Sequence, residues 1–543
     1  MFFIGRPKQP VLFVILLLAV TFTVLSPCLQ SGFLADWDDG SYLLENPRVR
    51  SLSSENIADI FQSTVLDTYV PLTVLSFAVE YHFFDYDPFV YHLNNLLLHL
   101  AVTLGVFLLA QRLGFPFWAA WAGALLFGIH PLRVESVAWV TERKDVLYAF
   151  FYVAALNFYW EYLRSEKKLF FGITVGLGLL SLLAKPMALS LPLILLLLDW
   201  YAERPLRLQV VGEKCVFFIY IIPLTWLTYS GFMRNPICNP DEALLSWVWT
   251  FMFYIRQFFM PIILTPDYSI PRPVSLAHVQ YSASILALLI LLGLVWRFRS
   301  RRELVFAILF YLFSIFFLLR FDLGKDYCFV ADRFMYLPSL GLCLWLGSGI
   351  YHGVFNWSAR IGVRFSVLLI IIIIFTALGL KTYRQAWLWN SELTLWNHVL
   401  RHNPRSSAGL INRGCFFSAQ GKRKAALRDF KKATEMYPHM AKAWYNLGNI
   451  HKENGRWRKA LRCYNKVLDI EPDYIKVYNN RAIVYDRMGL FHLAINDFST
   501  VIKLNPDNIK AYYNRGLFYR ERGMENQAQA DFQHARQMRY VMP

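Results

Sequence analysis

Trp444-Tyr445-Asn446-Leu447-Gly448-Asn449-Ile450-His451 returns one period later as Tyr478-Asn479-Asn480-Arg481-Ala482-Ile483-Val484-Tyr485, and this return decides how the C-terminal part folds. The period is 34 residues, and it extends in both directions. Leu410 and Tyr512 stand in phase with Trp444 and Tyr478. Gly414, Gly448, Ala482 and Gly516 share a second register, Phe417, His451, Tyr485 and Tyr519 a third, and Ala426, Ala460, Ala494 and Ala528 a fourth. Phe430, Tyr464, Phe498 and Phe532 form a fifth, and Pro404, Pro438, Pro472 and Pro506 mark the unit ends. A fixed period of this length signals stacked supersecondary units that each bury a face only against their neighbours.

Small residues alternating with large aromatics at these spacings form the tetratricopeptide pattern, two helices per unit. Residues 407–543 are therefore read as a solenoid of four repeats, with 381–406 as connecting and capping helices. Ser391 to Pro404, with Trp396 and Val399, reads as a lone second helix capping the stack. One further register is always Asn: Asn412, Asn446, Asn480 and Asn514. Packing does not demand a carboxamide there. A ladder of carboxamides lining a groove can pair with the amides of an extended acceptor polypeptide whatever its side chains, whereas the bland alternative is an Asn that joins helices.

Upstream the composition changes. The chain of 543 residues is 56% hydrophobic and only 17% charged, with a mean hydropathy of +0.34, which excludes a single soluble globule and a disordered chain. Beyond Leu380 there are 28 Lys and Arg against 13 Asp and Glu, so the basic character of a chain at +17 belongs to the tail. Those cations are dispersed over helix surfaces with no nucleic-acid module, so nucleic acid is not an expected partner, and acidic peptides or anionic headgroups fit better. Seven scattered Cys give neither a disulfide framework nor a zinc site.

Residues 1–380 read as a polytopic bundle of about eleven spans, centred on Leu12–Pro27, Leu93–Ala110, Phe117–Ile129, Val146–Leu163, Leu169–Leu183, Ala188–Leu198, Val216–Gly231, Ser282–Trp296, Leu304–Leu319, Phe334–Ile350 and Phe365–Leu380. The fold class expected is thus all-α, a membrane helical bundle followed by an α-solenoid. Arg6 and Lys8 put the N-terminus in the cytoplasm. Alternation then keeps Arg164/Lys167/Lys168, Arg204/Arg207/Lys214 and Arg297/Arg299/Arg301/Arg302 inside, provided Trp247–Leu264, interrupted by Arg256 and Gln257, dips in or lies along the surface. The repeats then lie on the non-cytoplasmic side, and Asn356-Trp357-Ser358, a glycosylation triplet, falls inside. The lack of outward triplets favours a bacterial inner membrane, with the endoplasmic reticulum as the alternative.

Acids collect on the outer face: Asp36, Asp38, Asp39, Glu45, Asp67, Glu135, Glu142, Asp145, Asp326 and Asp332, together with Arg133, Arg143, Lys144, Lys185 and Arg333. They belong to distinct stretches. Asp36-Trp37-Asp38-Asp39-Gly40 follows the first span. His130-Pro131-Leu132-Arg133-Val134-Glu135 and Glu142-Arg143-Lys144-Asp145 come next, and Asp332-Arg333-Phe334-Met335-Tyr336-Leu337-Pro338-Ser339 stands late. Charges of both signs at many helix ends on one side point to a polar cavity at the membrane boundary.

In order, these stretches and the terminal solenoid resemble the transmembrane and tetratricopeptide-repeat-containing O-mannosyltransferase family, multi-span glycosyltransferases of the C type. The likeness runs over essentially the whole chain. It implies a membrane enzyme that takes a sugar, mannose in that family, from a polyprenyl phosphate donor and places it with inversion on Ser or Thr of a protein. It also implies that Asp38 is the base, since the first acid of the corresponding pair has that role, with Asp39 as the alternative or as an orienting group. Transfer needs a base beside the acceptor hydroxyl and cations around the departing phosphate. Arg143, Lys144 and Arg333, with Lys185 less central, are the candidate phosphate ligands; Glu135 and His130 are expected to hold those cations in place, with Asp332 and Tyr336 behind them. No tightly bound cofactor and no divalent metal is required by a monophosphate donor flanked by cations. Two other classes compete: a non-catalytic adaptor that uses only its solenoid, and a transporter, which would want matching acids within the spans.

Overall fold

The structure is a computed structural model and describes residues 9–229, 240–316, 330–355 and 361–537. Arg6, Lys8, Asp326 and the Asn356-Trp357-Ser358 triplet lie outside the described residues. Among the described residues there is no strand, only an isolated bridge between Val65 and Thr68. The chain divides into two compact units, Met1–His402 and Asn403–Pro543.

Unit 1 begins with α1 (Pro10–Leu25) and an outer-loop pair, α2 (Ser54–Gln62) and α3 (Pro71–Phe84). Then come α4 (Pro88–Arg112), α5 (Phe117–Ile129), the short α6 (Val134–Ala138), α7 (Arg143–Ser165), α8 (Lys168–Ala184) and α9 (Leu191–Tyr201). The short α10 (Leu208–Glu213) precedes α11 (Cys215–Tyr229), α12 (Pro240–Phe259), α13 (Val279–Arg297), α14 (Arg302–Ile315), α15 (Leu340–Phe355), α16 (Ile361–Leu388) and α17 (Glu392–His402). Among the described residues each of the eleven expected spans overlaps a helix, although Phe334–Ile350 becomes α-helical only from Leu340. Four of them, Pro10–Gln30, Pro88–Arg112, Val279–Arg297 and Gly362–Leu388, are long and apolar enough to cross a membrane, so unit 1 is a membrane protein.

Local chemistry sets the helix starts and close approaches. Pro88 opens α4 and Asp87 caps it, accepting from Phe89 N at 3.1 Å. α5 is built from Ala119, Ala120, Ala122, Gly123 and Ala124, all buried, because α15 lies directly on it. A Cβ on Gly347 would collide with the Ala119 carbonyl and the Gly123 backbone, so small residues are what allow this contact. The segment Trp247–Leu264 forms the C-terminal half of α12, with Thr250, Phe251, Tyr254 and Phe258 buried and the Tyr311 hydroxyl donating to Phe251 O, followed by irregular chain from Met260.

α7 fixes the geography of unit 1. Its 23 residues span about 34 Å, close to the thickness of the hydrocarbon layer. At its first turn stand the charged residues of the outer stretches. At its far end Glu213 accepts from the Tyr162 hydroxyl and pairs with Arg204. Lys214 pairs with the buried Asp199, and Arg302 with Glu203, so the cations read as inner share the other face.

α17 is the helix expected to join the last span to the solenoid and cap it. It packs within unit 1, where the Trp396 ring lies 5.0 Å from that of Trp37 and His398 Nε2 donates to Leu264 O at 3.1 Å. The end of α16 joins the same loops: Ser31 donates to the Asn390 side chain at 2.9 Å and Gln385 to Leu264 O at 3.0 Å. The chain therefore leaves unit 1 on the face that carries Asp38.

Unit 2 is four helix hairpins: α18 (Ser407–Ala419) with α19 (Arg423–Met436), α20 (Ala441–Glu453) with α21 (Trp457–Ile470), α22 (Ile475–Arg487) with α23 (Phe491–Leu504), and α24 (Ile509–Arg520) with α25 (Glu525–Gln537). Gly421, Gly455, Gly489 and Gly523 turn each hairpin at φ between +67° and +75°, a conformation that favours Gly. A Cβ at Gly414, Gly448 or Gly516 would strike the ring of Phe430, Tyr464 or Phe532, which is why small and aromatic registers alternate.

Candidate active site

The acidic pair after α1 splits into two environments. Asp39 is 1% exposed, and both its oxygens are occupied. Leu34 N donates at 2.8 Å to one, while Thr141 N at 3.0 Å and the Thr141 hydroxyl donate to the other. Burial pushes its carboxyl up to about 6, against those donors, with a smaller upward push from Asp38. Asp39 thus ties the first loop to the 130–145 loop. Asp38 is half-buried and makes no hydrogen bond with any described residue. It interacts electrostatically with Lys144, whose Nζ lies 4.2 Å from the centroid of the Tyr42 ring.

Glu142 is the hub. This carboxylate, 2% exposed, lies 3.4 Å from Lys144 Nζ, 3.1 Å from Lys185 Nζ and 3.4 Å from Arg333 Nε. Burial would raise its pKa, but the three cations outweigh burial and hold it well below the ordinary range. Glu135 binds Arg333 twice, accepting from its backbone N at 3.0 Å and from Nη1. Burial keeps the Glu135 carboxyl raised despite that arginine. Lys185 is closed on a second side by Asp145 at 2.6 Å. The structure therefore brings Asp38, Asp39, Glu135, Glu142, Lys144, Asp145, Lys185 and Arg333 into one cluster.

Four expected site residues have other partners. Arg143, expected on phosphate, has all its donors engaged: Glu80 at 2.6 and 3.2 Å, Tyr91 O at 2.8 Å, Ser76 at 3.5 Å and the Asn95 side chain. It clamps α7 to α3 and α4. His130 holds none of these cations; its Nε2 donates to Phe258 O at 2.9 Å and its ring stacks on Phe258. Tyr336 supports the site from below, its hydroxyl 2.6 Å from His99 Nδ1 and its carbonyl accepting from the fully buried Arg133 at 2.8 Å. Asp332 accepts from the Tyr268 hydroxyl at 2.8 Å, anchoring the chain after α12.

Sequence reasoning passed over Glu142 as a hub, Glu80, Thr141 and a tryptophan stack. Trp37 lies on Trp139 with centroids 3.9 Å apart, Trp389 follows at 6.0 Å, and Arg333 sits over Trp139 at 5.4 Å. The signal for Glu142 was present in its run with Arg143 and Lys144. Glu80 carried none, standing 63 residues from its partner. Among the described residues no group of three or more His, Cys, Asp and Glu could hold a metal ion.

In unit 2 the four in-phase asparagines are not equivalent. Asn412 is buried with its Oδ1 unpartnered, and Asn446 Nδ2 is likewise unpartnered. Asn480 is occupied, donating to the Tyr445 hydroxyl at 2.9 Å and accepting from Lys452 at 2.7 Å, and Asn514 is exposed. Three repeats also carry a matching ion pair, Arg413–Asp429, Arg481–Asp497 and Arg515–Asp531, at 2.7–2.8 Å. The second repeat has buried Leu447 and Cys463 in those positions.

Comparison with known proteins places both units. The tetratricopeptide-repeat family model matches residues 441–474, 475–508 and 498–530. A protein O-mannosyl-transferase of Caenorhabditis elegans is 24% identical over 472 residues, 80% of this chain and 64% of that protein. The human protein O-mannosyl-transferase TMTC3 is 23% identical over 495 residues, 77% of this chain and 51% of its own length. A Drosophila melanogaster relative, Tmtc2, is 27% identical over 317 residues, 51% of this chain and 33% of that protein. The chain thus spans between one third and two thirds of the length of these relatives. Among solved structures, MamA is similar at 24% identity and a TM-score of 0.27, covering 30% of this chain and 94% of that one. YrrB, described as a tetratricopeptide-repeat protein with an unusual peptide-binding site, is similar at 20% and 0.24, covering 26% and 74%. By likeness over most of its length, this all-helical membrane chain with C-terminal repeats is similar to the transmembrane and tetratricopeptide-repeat-containing O-mannosyltransferases.

Proposed function

We propose that unit 1 is a membrane glycosyltransferase that moves mannose from a polyprenyl phosphate to Ser or Thr hydroxyls of a polypeptide held by the solenoid. The relatives' names support the reaction class. The observation that carries the reading is the division of labour in the acidic pair: Asp39 is saturated with donors, while Asp38 is half-buried, makes no hydrogen bond with a described residue and interacts electrostatically with Lys144.

Asp38 takes the proton of the acceptor hydroxyl as its oxygen attacks the anomeric carbon from the side opposite the phosphate. The bond to the phosphate oxygen breaks with inversion, and Lys144 and Arg333 receive the charge that develops on the leaving group. Glu142 keeps these cations close without discharging them, and Arg143, with its donors engaged, acts as a clamp. No step calls on a divalent ion. Cations gathered at the opposite end of α7 support a non-cytoplasmic site, and the exit of the chain on the Asp38 face supports repeats on that side.

The test uses the full-length protein, a polyprenyl-phosphate mannose donor and a Ser/Thr-rich acceptor. Asp38→Asn should lower transfer by about 100-fold or more while the melting temperature stays unchanged. Lys144→Gln should raise KM for the donor and lower kcat. Undiminished transfer in Asp38→Asn would remove the base. Partner capture by the tail with no transfer even in the wild type would leave the adaptor reading.

A further inference from the structure

The second helices of the first two repeats carry a charged surface that neither packing nor the proposed reaction uses. In α19, Lys424, Arg428 and Lys432 follow at intervals of four and share one face, with Lys422 just before. In α21 the register one period later holds Arg458, Arg462 and Lys466, with Arg456 before. All eight are exposed. The two helices are locked through a common core that includes Phe430, Leu447 and Cys463, so the rows belong to one surface.

Folding does not require these cations. The same register holds Leu490, His492, Asn496 and Thr500 in the third repeat and Met524, Asn526, Ala530 and His534 in the fourth, and those hairpins fold alike. Neutralisation within the patch is slight: Lys466 meets Asp469 at 3.3 Å and the adjoining Lys431 meets Glu435 at 3.5 Å, both exposed pairs of small consequence. The cations are confined to the repeats that follow the membrane unit directly, Lys422 lying 20 residues beyond His402. An acidic peptide would have no reason to prefer those repeats, whereas they are the ones nearest in sequence to the membrane unit.

We propose that this face of α19 and α21 is a membrane-surface site that binds anionic lipid headgroups through diffuse electrostatic attraction. Two rows of long cations on helix surfaces suit a field of mobile phosphates, not a single anion.

The test places the full-length protein in neutral phosphatidylcholine nanodiscs and measures co-flotation with added vesicles. Vesicles containing phosphatidylglycerol should bind, and binding should fall steeply as salt is raised. Pure phosphatidylcholine vesicles should not bind. Arg428→Gln/Lys432→Gln/Arg462→Gln/Lys466→Gln should weaken binding by about tenfold or more. The equally charged control Lys476→Gln/Arg487→Gln/Lys503→Gln/Lys510→Gln should not. In the wild type, bound vesicles should protect Lys424, Lys432 and Lys466 from acetylation, a readout independent of any variant's folding. Equal loss in the control would assign the effect to net charge and overturn the site, as would equal binding to both vesicle types. Binding of a polyglutamate peptide without vesicle binding would also overturn it, in favour of an acidic protein partner.

Discussion

In unit 1 one buried carboxylate answers three cations; in unit 2 each buried carboxylate answers one arginine. Glu142 lies within 3.4 Å of Lys144, Lys185 and Arg333, and Asp38 stands nearby with no bond of its own. Arg413–Asp429, Arg481–Asp497 and Arg515–Asp531 are bidentate and locally balanced. A closed pair returns only its own desolvation cost, so evolution can exchange it for apolar residues, as Leu447 and Cys463 show. The shared network is not closed pair by pair: Arg333 also has Glu135 and Lys185 also has Asp145, but among the described residues Lys144 pairs only with Glu142, at 3.4 Å, and keeps capacity for an anion. That difference separates a site from a scaffold more clearly than the number of charges does.

The sharpest way to break the comparison is Glu142→Gln. Removing the shared partner leaves Lys144 without a carboxylate in a buried setting and Lys185 and Arg333 with only Asp145 and Glu135, and stability should fall by about 3–5 kcal/mol. Thermal melting of the full-length protein measures it. If an anionic donor analogue binds these cations, adding it should restore more of the melting temperature in Glu142→Gln than in the wild type. A melting temperature indifferent to the substitution would show that the three cations do not depend on Glu142.

Asp39 offers a smaller effect with a definite sign. Its folded pKa, about 6, lies above the ordinary aspartate value because burial outweighs its donors. Between these two values the native state holds a proton that the unfolded chain has released, so stability should rise as pH is lowered from 7 towards 4. Asp39→Asn should flatten that slope, and melting curves across the range decide it.

Much of this was legible in the sequence because each part carried a local or periodic mark. The spans announced themselves by length, the repeats by a period of 34, and the cluster by charged runs at helix ends. Arg143 and Arg333 looked alike in sequence. They differ because Glu80, on α3, engages the first, and a pairing across 63 residues leaves no trace in a single chain. Asp38 and Asp39 are adjacent, yet Leu34 and Thr141 donate only to Asp39, which depends on a fold that brings residue 141 to residue 39. α17 was legible as a helix connecting the last span to the solenoid, but that its Trp396 packs on Trp37 was not. The Arg–Asp pairs were periodic and readable, and the gap at Leu447 and Cys463 hid them.

The smallest effect expected comes from making the third repeat copy the second. Asp497 is 3% exposed, and Arg481 binds it through Nε at 2.8 Å and Nη2 at 2.7 Å. Arg481→Leu alone strands that carboxylate, costing about 3 kcal/mol at neutral pH. Burial already raises the Asp497 carboxyl against the pull of Arg481. Without the arginine it rises further, so the deficit should shrink as pH falls and the group protonates. Adding Asp497→Cys removes the stranded charge and supplies the apolar pairing that Leu447 and Cys463 already make, so Arg481→Leu/Asp497→Cys should return to within about 1 kcal/mol of the wild type. Hydrogen exchange of α22 and α23 in the full-length protein reads both states. A double variant as weak as the single one would mean that the ion pair specifies the hairpin, and that the second repeat compensates elsewhere for its loss.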